Sequence, residues 1–224
     1  MNKKQCCICS QIRGDADNDL LAQLLEPDKY VRRVPLESES FAVIPSIGPL
    51  VEGHVLLCPK QHFKSFAQMP TMLEDEFAII KKRLSGILTR TYRHRIHYFE
   101  HGSAKAAEQP MCTVEHAHLH LVPTDAEIWT DIEHVFDWQP IPKSIVSLAY
   151  VVGDMEYIWY ESPEGFSVVA TGIEGTFESQ YLRKIFAKAV GLGNEWNWRD
   201  SPRTTVISDT YANIKQSLNS GKFG

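Results

Sequence analysis

The segment Glu115-His116-Ala-His118-Leu-His120-Leu-Val-Pro123 constrains this chain more than any other stretch. Imidazole and apolar side chains alternate through it, and a period of two is the signature of a half-buried β-strand. His116, His118 and His120 therefore share one face, while Ala117, Leu119 and Leu121 share the other. The apolar side suits packing against a helix. The predicted strand runs from Thr113 to Val122.

Three readings of the imidazole row are open on its residues alone. With 9 histidines in 224 residues, such a row arises by chance in roughly one chain in seventy, so a plain surface row stands as the first. A metal site is the second, because His-x-His pairs chelate zinc. Three histidines spread over ~13 Å of strand do not all reach one ion easily, however. Phosphorus chemistry is the third. A neutral imidazole is nucleophilic near pH 7, and neighbouring imidazoles hold protons for a departing group. Spacing does not separate the last two.

The rest of the chain supplies a sheet and helices around this strand. Phe41–Pro45 and His54–Cys58 are short apolar runs flanking a turn-rich loop at 46–53, and both read as buried strands. Thr71 and Glu74 have capping-box spacing, and Leu73, Phe77, Ile80, Leu84 and Ile87 recur at steps of four and three, predicting a helix to about Tyr92. Ile96–Glu100 reads as a strand and Gly102–Cys112 as a loop. A short helix is expected from Asp17 to Leu25. Farther on, Glu156–Tyr160 and Phe166–Ala170 flank Ser162-Pro-Glu-Gly165 as a hairpin, and Tyr181–Val190 reads as an amphipathic helix stopped by Gly191. The aromatic run Tyr157–Tyr160 suits a core or dimer contact better than a base-stacking platform. Trp196, Trp198 and the last 25 residues resist placement.

Composition narrows the function classes. A formal charge of −5 and a pI near 6.0 argue against a general nucleic-acid backbone binder and leave room for a small phosphorylated ligand. No stretch approaches the ~20 apolar residues of a membrane span. Met1-Asn-Lys-Lys-Gln-Cys-Cys7 has no apolar core behind its lysines, so a cytoplasmic chain with reduced cysteines is expected. Among the five cysteines, Cys6 and Cys9 form a Cys-x-x-Cys pair, which supplies half of a tetrahedral shell or is two ordinary thiols.

His116-Ala-His118-Leu-His120-Leu-Val resembles the signature of the histidine-triad (HIT) superfamily, His-φ-His-φ-His-φ-φ with φ apolar. Gly53-His54 through Pro59-Lys60-Gln-His62 resembles that family's Gly-His and Pro-Lys-x-His segment, upstream in the same order. The resemblance covers roughly residues 5–123. It implies that His118 is the nucleophile taking a nucleotidyl group from an α-phosphate, that His120 hydrogen-bonds the phosphate or leaving side, and that His54 supports both. Thr113 stands at a position often held by Ser and would donate to a phosphate oxygen. Glu100 or His101 replaces an expected Asn, and Cys112 stands where many members have Gln. Glu100 is expected to turn towards the ribose hydroxyls, since its carboxylate would repel a phosphate. Bacterial-type members that begin with Cys-x-x-Cys imply a structural Zn2+ held by Cys6, Cys9, His62 and His116.

Phe177–Phe186 with Trp196–Arg199 is similar to the tail of longer members. Gln180 and Arg183 could approach a phosphate there, the planar fork of Arg being suited to it, although exposed polar positions on a packed helix are the plainer reading. The expectation is an α+β fold: an antiparallel HIT-like sheet with one long helix across it at 1–145, and a hairpin-helix extension at 146–224. The expected function is a nucleotide hydrolase or transferase acting on a dinucleoside polyphosphate or related nucleotide conjugate, without an organic cofactor. A phosphorylase or nucleotidyltransferase, and a nucleotide- or RNA-end-binding module, are the alternatives. A homodimer is left open.

Overall fold

The computed structural model describes residues 6–25, 30–102, 116–173 and 175–220. Among them, eight strands make one antiparallel sheet: β1 (Leu36–Glu37), β2 (Phe41–Pro45), β3 (Val55–Pro59), β4 (Ile96–Gly102), β5 (Leu119–Pro123), β6 (Gln139–Pro140), β7 (Glu156–Glu161) and β8 (Ser167–Gly172). Their spatial order is β1-β2-β3-β5-β4-β7-β8-β6. The architecture is α+β with an antiparallel sheet, as the resemblance implies. The hairpin β7–β8 pairs with β4 and continues the same sheet.

One face of the sheet carries the larger core. Phe41, Val43, Val55, Leu57, Leu119, Leu121, Tyr157 and Trp159 are buried against the long helix α3 (Glu74–Tyr92), which contributes Phe77, Ile80, Leu84 and Ile87. Helices α5 (Ile145–Val152) and α7 (Thr204–Ser220) complete this layer through Ile145, Leu148 and Ile214. The apolar side of the histidine strand thus packs on a helix, because period two in a strand and period 3.6 in α3 both end in one apolar face. Tyr157, Trp159 and Tyr160 are core residues.

The opposite face holds two smaller clusters. Helix α1 (Cys7–Arg13) sets Ile8 and Ile12 on Ile44 and Leu56, above β2 and β3. Helix α6 (Tyr181–Ala189) sets Leu182 and Phe186 on Phe99, Ile158 and Tyr160, above β4 and β7. Strand β5 lies between these two covered patches. Helix α6 stops where expected: Gly191 has φ +76°, its N–H reaches Lys188 O at 3.2 Å, and Leu192 N–H reaches Ala187 O at 2.8 Å. Short helices α2 (Leu20–Leu25) and α4 (Trp129–Ile132) fill the rims.

Two local expectations are corrected. The Thr71–Glu74 capping box does not form; Thr71–Leu73 is a 3₁₀ turn, and no side chain caps α3. Tertiary backbone donors take the first-turn carboxylates instead, Val146 N–H on Glu74 at 3.2 Å and Ser40 N–H on Glu76 at 2.7 Å. The histidine strand is also shorter than predicted: regular pairing begins at Leu119. Upstream, Ala117 N–H donates to Phe63 O at 2.7 Å, out of the sheet ladder and into the 60–65 loop.

Candidate functional site

Cys6 and Cys9 sit at the head of α1, one turn apart, over the end of the histidine strand. The ligand atoms of Cys6, Cys9, His62 and His116 all lie within 4.8 Å of one another. Individual separations are 3.6 Å (Cys6 Sγ to His116 Nδ1), 3.3 Å (Cys9 Sγ to His116 Nδ1) and 3.4 Å (Cys9 Sγ to His62 Nδ1). A tetrahedral zinc with bonds of 2.0–2.3 Å needs S···N edges of about 3.5 Å, so the quartet fits that ion. His116 also has the backing expected of a ligand: its Nε2 donates to Pro59 O at 2.8 Å, leaving Nδ1 for the metal. The bond between the two thiols favours Cys6 as thiolate and pushes the Cys9 thiol up. A bound ion would staple α1 to the sheet.

The triad lies one step along the same strand. His118 Nδ1 is 2.5 Å from the His116 carbonyl, which only accepts, so Nδ1 carries the proton and Nε2 is left unprotonated. Enclosure lowers the imidazole pKa to about 4, against the opposing pull of that carbonyl. A second chain of hydrogen bonds fixes the other rings. Leu50 N–H donates to His54 Nδ1 at 3.1 Å, so the proton of His54 sits on Nε2 and donates to His120 Nδ1 at 2.8 Å. The proton of His120 is then on Nε2. Burial holds both rings well below the usual histidine range. His54 owes its position to Gly53, whose φ of +84° and 2.4 Å gap between an added Cβ and Tyr92 exclude a side chain. Phe99 stacks on His120 with ring centroids 4.2 Å apart.

His118 and His120 open into a cavity over β5, between α1 and α6. Its apolar wall comes from Ile8, Leu20, Ile44, Ile47 and Leu56; its polar wall includes His101, Gln180 and Arg183. Arg183 is buried rather than exposed on its helix, with Nε on Trp196 O at 3.0 Å and the guanidinium on Gly48 O and Ser46 Oγ. Its charge helps to hold the imidazoles of His54, His118 and His120 neutral. Gln180 has a left-handed backbone, φ 59°, and its Oε1 is buried without a hydrogen-bond partner among the described residues.

Glu100 is the correction. It is buried on the α3 side, where its Oε1 accepts from Phe66 N–H at 2.9 Å and its Oε2 from the Tyr157 hydroxyl. Desolvation raises its pKa to about 8. It therefore does not turn towards a ribose in the cavity, because alternation along β4 sends Phe99 and His101 to the cavity side and Glu100 to the other. His101 occupies the place instead, and Nε2 lies 2.7 Å from Glu156 Oε1. The same alternation could have found His101; nothing in the local sequence marks Glu156. Thr113 and Cys112, and the Gly102–Cys112 loop apart from Gly102, lie outside the described residues.

The family model for the HIT domain matches residues 30–127. A search of curated proteins finds no match. Among solved structures, a zinc-bound histidine triad family protein from Mycobacterium smegmatis is similar at 27% identity, over 55% of this chain and 77% of that one, with a TM-score of 0.40. A hypothetical histidine triad nucleotide-binding protein from Sulfolobus tokodaii is 18% identical over 98% of this chain and 100% of that one, with a TM-score of 0.41. No helix among the described residues is long and apolar enough to cross a membrane. The match to the HIT-domain family model thus falls on residues 30–127, the segment that carries His54, His118 and His120.

Proposed function

We propose that this protein is a nucleotide hydrolase or transferase that attacks an α-phosphate through His118. One observation carries the reading: the His116 carbonyl accepts a hydrogen bond from His118 Nδ1–H, which leaves Nε2 unprotonated on a ring that lines a cavity with one apolar and one polar wall. An imidazole in that state is a ready nucleophile at phosphorus, and a covalent nucleotidyl-imidazole divides one hard displacement into two easier ones.

The remaining residues have roles that follow from their bonds. The Nε2–H of His120, fixed by the Leu50–His54 chain, donates to a phosphate oxygen. Arg183 presents a buried positive charge to the phosphate group. The base is expected against the Ile8, Leu20 and Ile44 wall. Zinc at Cys6, Cys9, His62 and His116 has a structural role: its ligand His116 also supplies the carbonyl that orients the nucleophile. The substrate class is a nucleotide conjugate, dinucleoside polyphosphates among them, and the setting is the cytoplasm.

Rapid quenching with a nucleotide conjugate labelled in the nucleotidyl group tests this. The label is expected on His118, and His118→Asn should bind nucleotide without forming the adduct. Turnover by His118→Asn at the wild-type rate refutes the assignment. Products formed with and without inorganic phosphate then separate hydrolase from phosphorylase, and tight binding without any adduct would favour the binding-module alternative.

A further inference from the structure

We propose that His101 and Glu156 form an acid–base dyad serving the group that leaves the phosphorus attacked by His118. The inference rests on that nucleophile. Phe99 pairs with His120 at the last register position between β4 and β5, and His101, two places farther along β4, lies on the same face as Phe99. His101 and His118 line the one cavity. Glu156 is only 1% exposed, and both of its oxygens are engaged: Oε2 accepts from Gly175 N–H at 2.9 Å and Oε1 lies 2.7 Å from His101 Nε2. The ring of His101 is held edge-on to Phe177, centroids 5.9 Å apart.

This is the arrangement in which a carboxylate fixes the tautomer of an imidazole and stabilises its protonated form. Nε2–H faces Glu156, and Nδ1 is the nitrogen left to exchange a proton. The triad does not fill this role by itself, because His54 and His120 are committed by hydrogen bonds to single-proton tautomers. In the first step, His118 Nε2 forms a bond to phosphorus, the bond from phosphorus to the leaving oxygen breaks, and that oxygen takes the Nδ1 proton of His101. In the second step, water adds to phosphorus, the N–P bond breaks, and neutral His101 Nδ1 receives a proton from the water.

Such a dyad matters most where the leaving group departs as a basic oxygen. The favoured substrate class is therefore a nucleoside 5′-phosphate ester of an alcohol, and a polyphosphate leaving group, already stable as an anion, gains little from it.

The test uses full-length, zinc-loaded protein and a series of adenosine 5′-monophosphate esters: p-nitrophenyl, phenyl and methyl. Single-turnover transfer to the protein is measured for wild type, His101→Asn and Glu156→Gln, with thermal unfolding to check the fold. Loss of the acid should slow the phenyl and methyl esters by about 10²–10³-fold while the p-nitrophenyl ester changes by less than about tenfold. Glu156→Gln should show the same ordering with smaller losses, and it carries the test alone if His101→Asn does not fold. Equal losses on all three esters, or none, overturn the dyad while leaving His118 in place. No adduct at His118 in wild type with any ester overturns the nucleophile and the dyad with it.

Discussion

Replacing Glu100 by Gln should remove a pH dependence of stability that the buried carboxyl imposes. In the fold this group has a pKa of about 8, against a reference value of 4.5, with desolvation as the cause. The folded state therefore binds one more proton than the unfolded state between those values, and stability is lost as pH rises. Each pH unit inside the window is worth about 1.4 kcal/mol, or roughly 5 kcal/mol in all. Buried histidines titrate in the opposite sense below about pH 6.5, so the clean interval is 6.5 to 8, where wild type should lose about 2 kcal/mol. Gln keeps the neutral form: its carbonyl oxygen accepts from Phe66 N–H, and its amide faces the Tyr157 oxygen. Urea unfolding at pH 6.5, 7.25 and 8 measures the difference. The two proteins should converge at low pH and separate steadily above 6.5, with Glu100→Gln the more stable. Parallel pH profiles would refute the reasoning, because they would mean that the carboxyl is already ionised in the fold.

Other outcomes follow from the same geometry. Burial lowers the pKa of His97 to about 4, so it binds fewer protons folded than unfolded; stability should fall by about 3 kcal/mol as pH drops from 6.5 to 4, and His97→Gln should flatten that limb of the urea series. Chelation should remove about one zinc per chain and lower Tm by about 6–12 °C, as should Cys9→Ala; metal analysis and calorimetry check both, and an unchanged Tm on full zinc loss counts against a structural ion. Arg183→Met should reduce kcat/KM by about 10–100-fold, and Arg183→Lys should recover little of it, since a point charge does not reproduce the fork held by Trp196, Gly48 and Ser46.

Local chemistry made part of the site legible. The imidazoles fall on one face and Ala117, Leu119 and Leu121 on the other because side chains in a strand alternate whatever surrounds them. Gly191 ended α6 for an equally local reason. The capping box failed where tertiary donors, Val146 and Ser40, captured the acidic side chains first. Helix α7 was hard to place because its contacts, Ile214 in the core and Thr210 Oγ1 on Gly53 N–H at 2.9 Å, lie far away in the chain.

The sequence by itself determined the sheet-forming histidine strand, the long helix behind it and the imidazole and thiol side chains from which the candidate sites are built. These rest on periodicity and chemistry, which neighbours a few residues apart specify. Only the tertiary structure decided which of these side chains meet. Cys6 and Cys9 meet His116 across more than a hundred residues of chain, and His54 reaches His120 only because Leu56 and His120 are paired in the sheet. The register also decided that His101 faces the cavity while Glu100 enters the core. A step of one residue reverses the face in a β-strand, and the contacts that set that step lie on other strands.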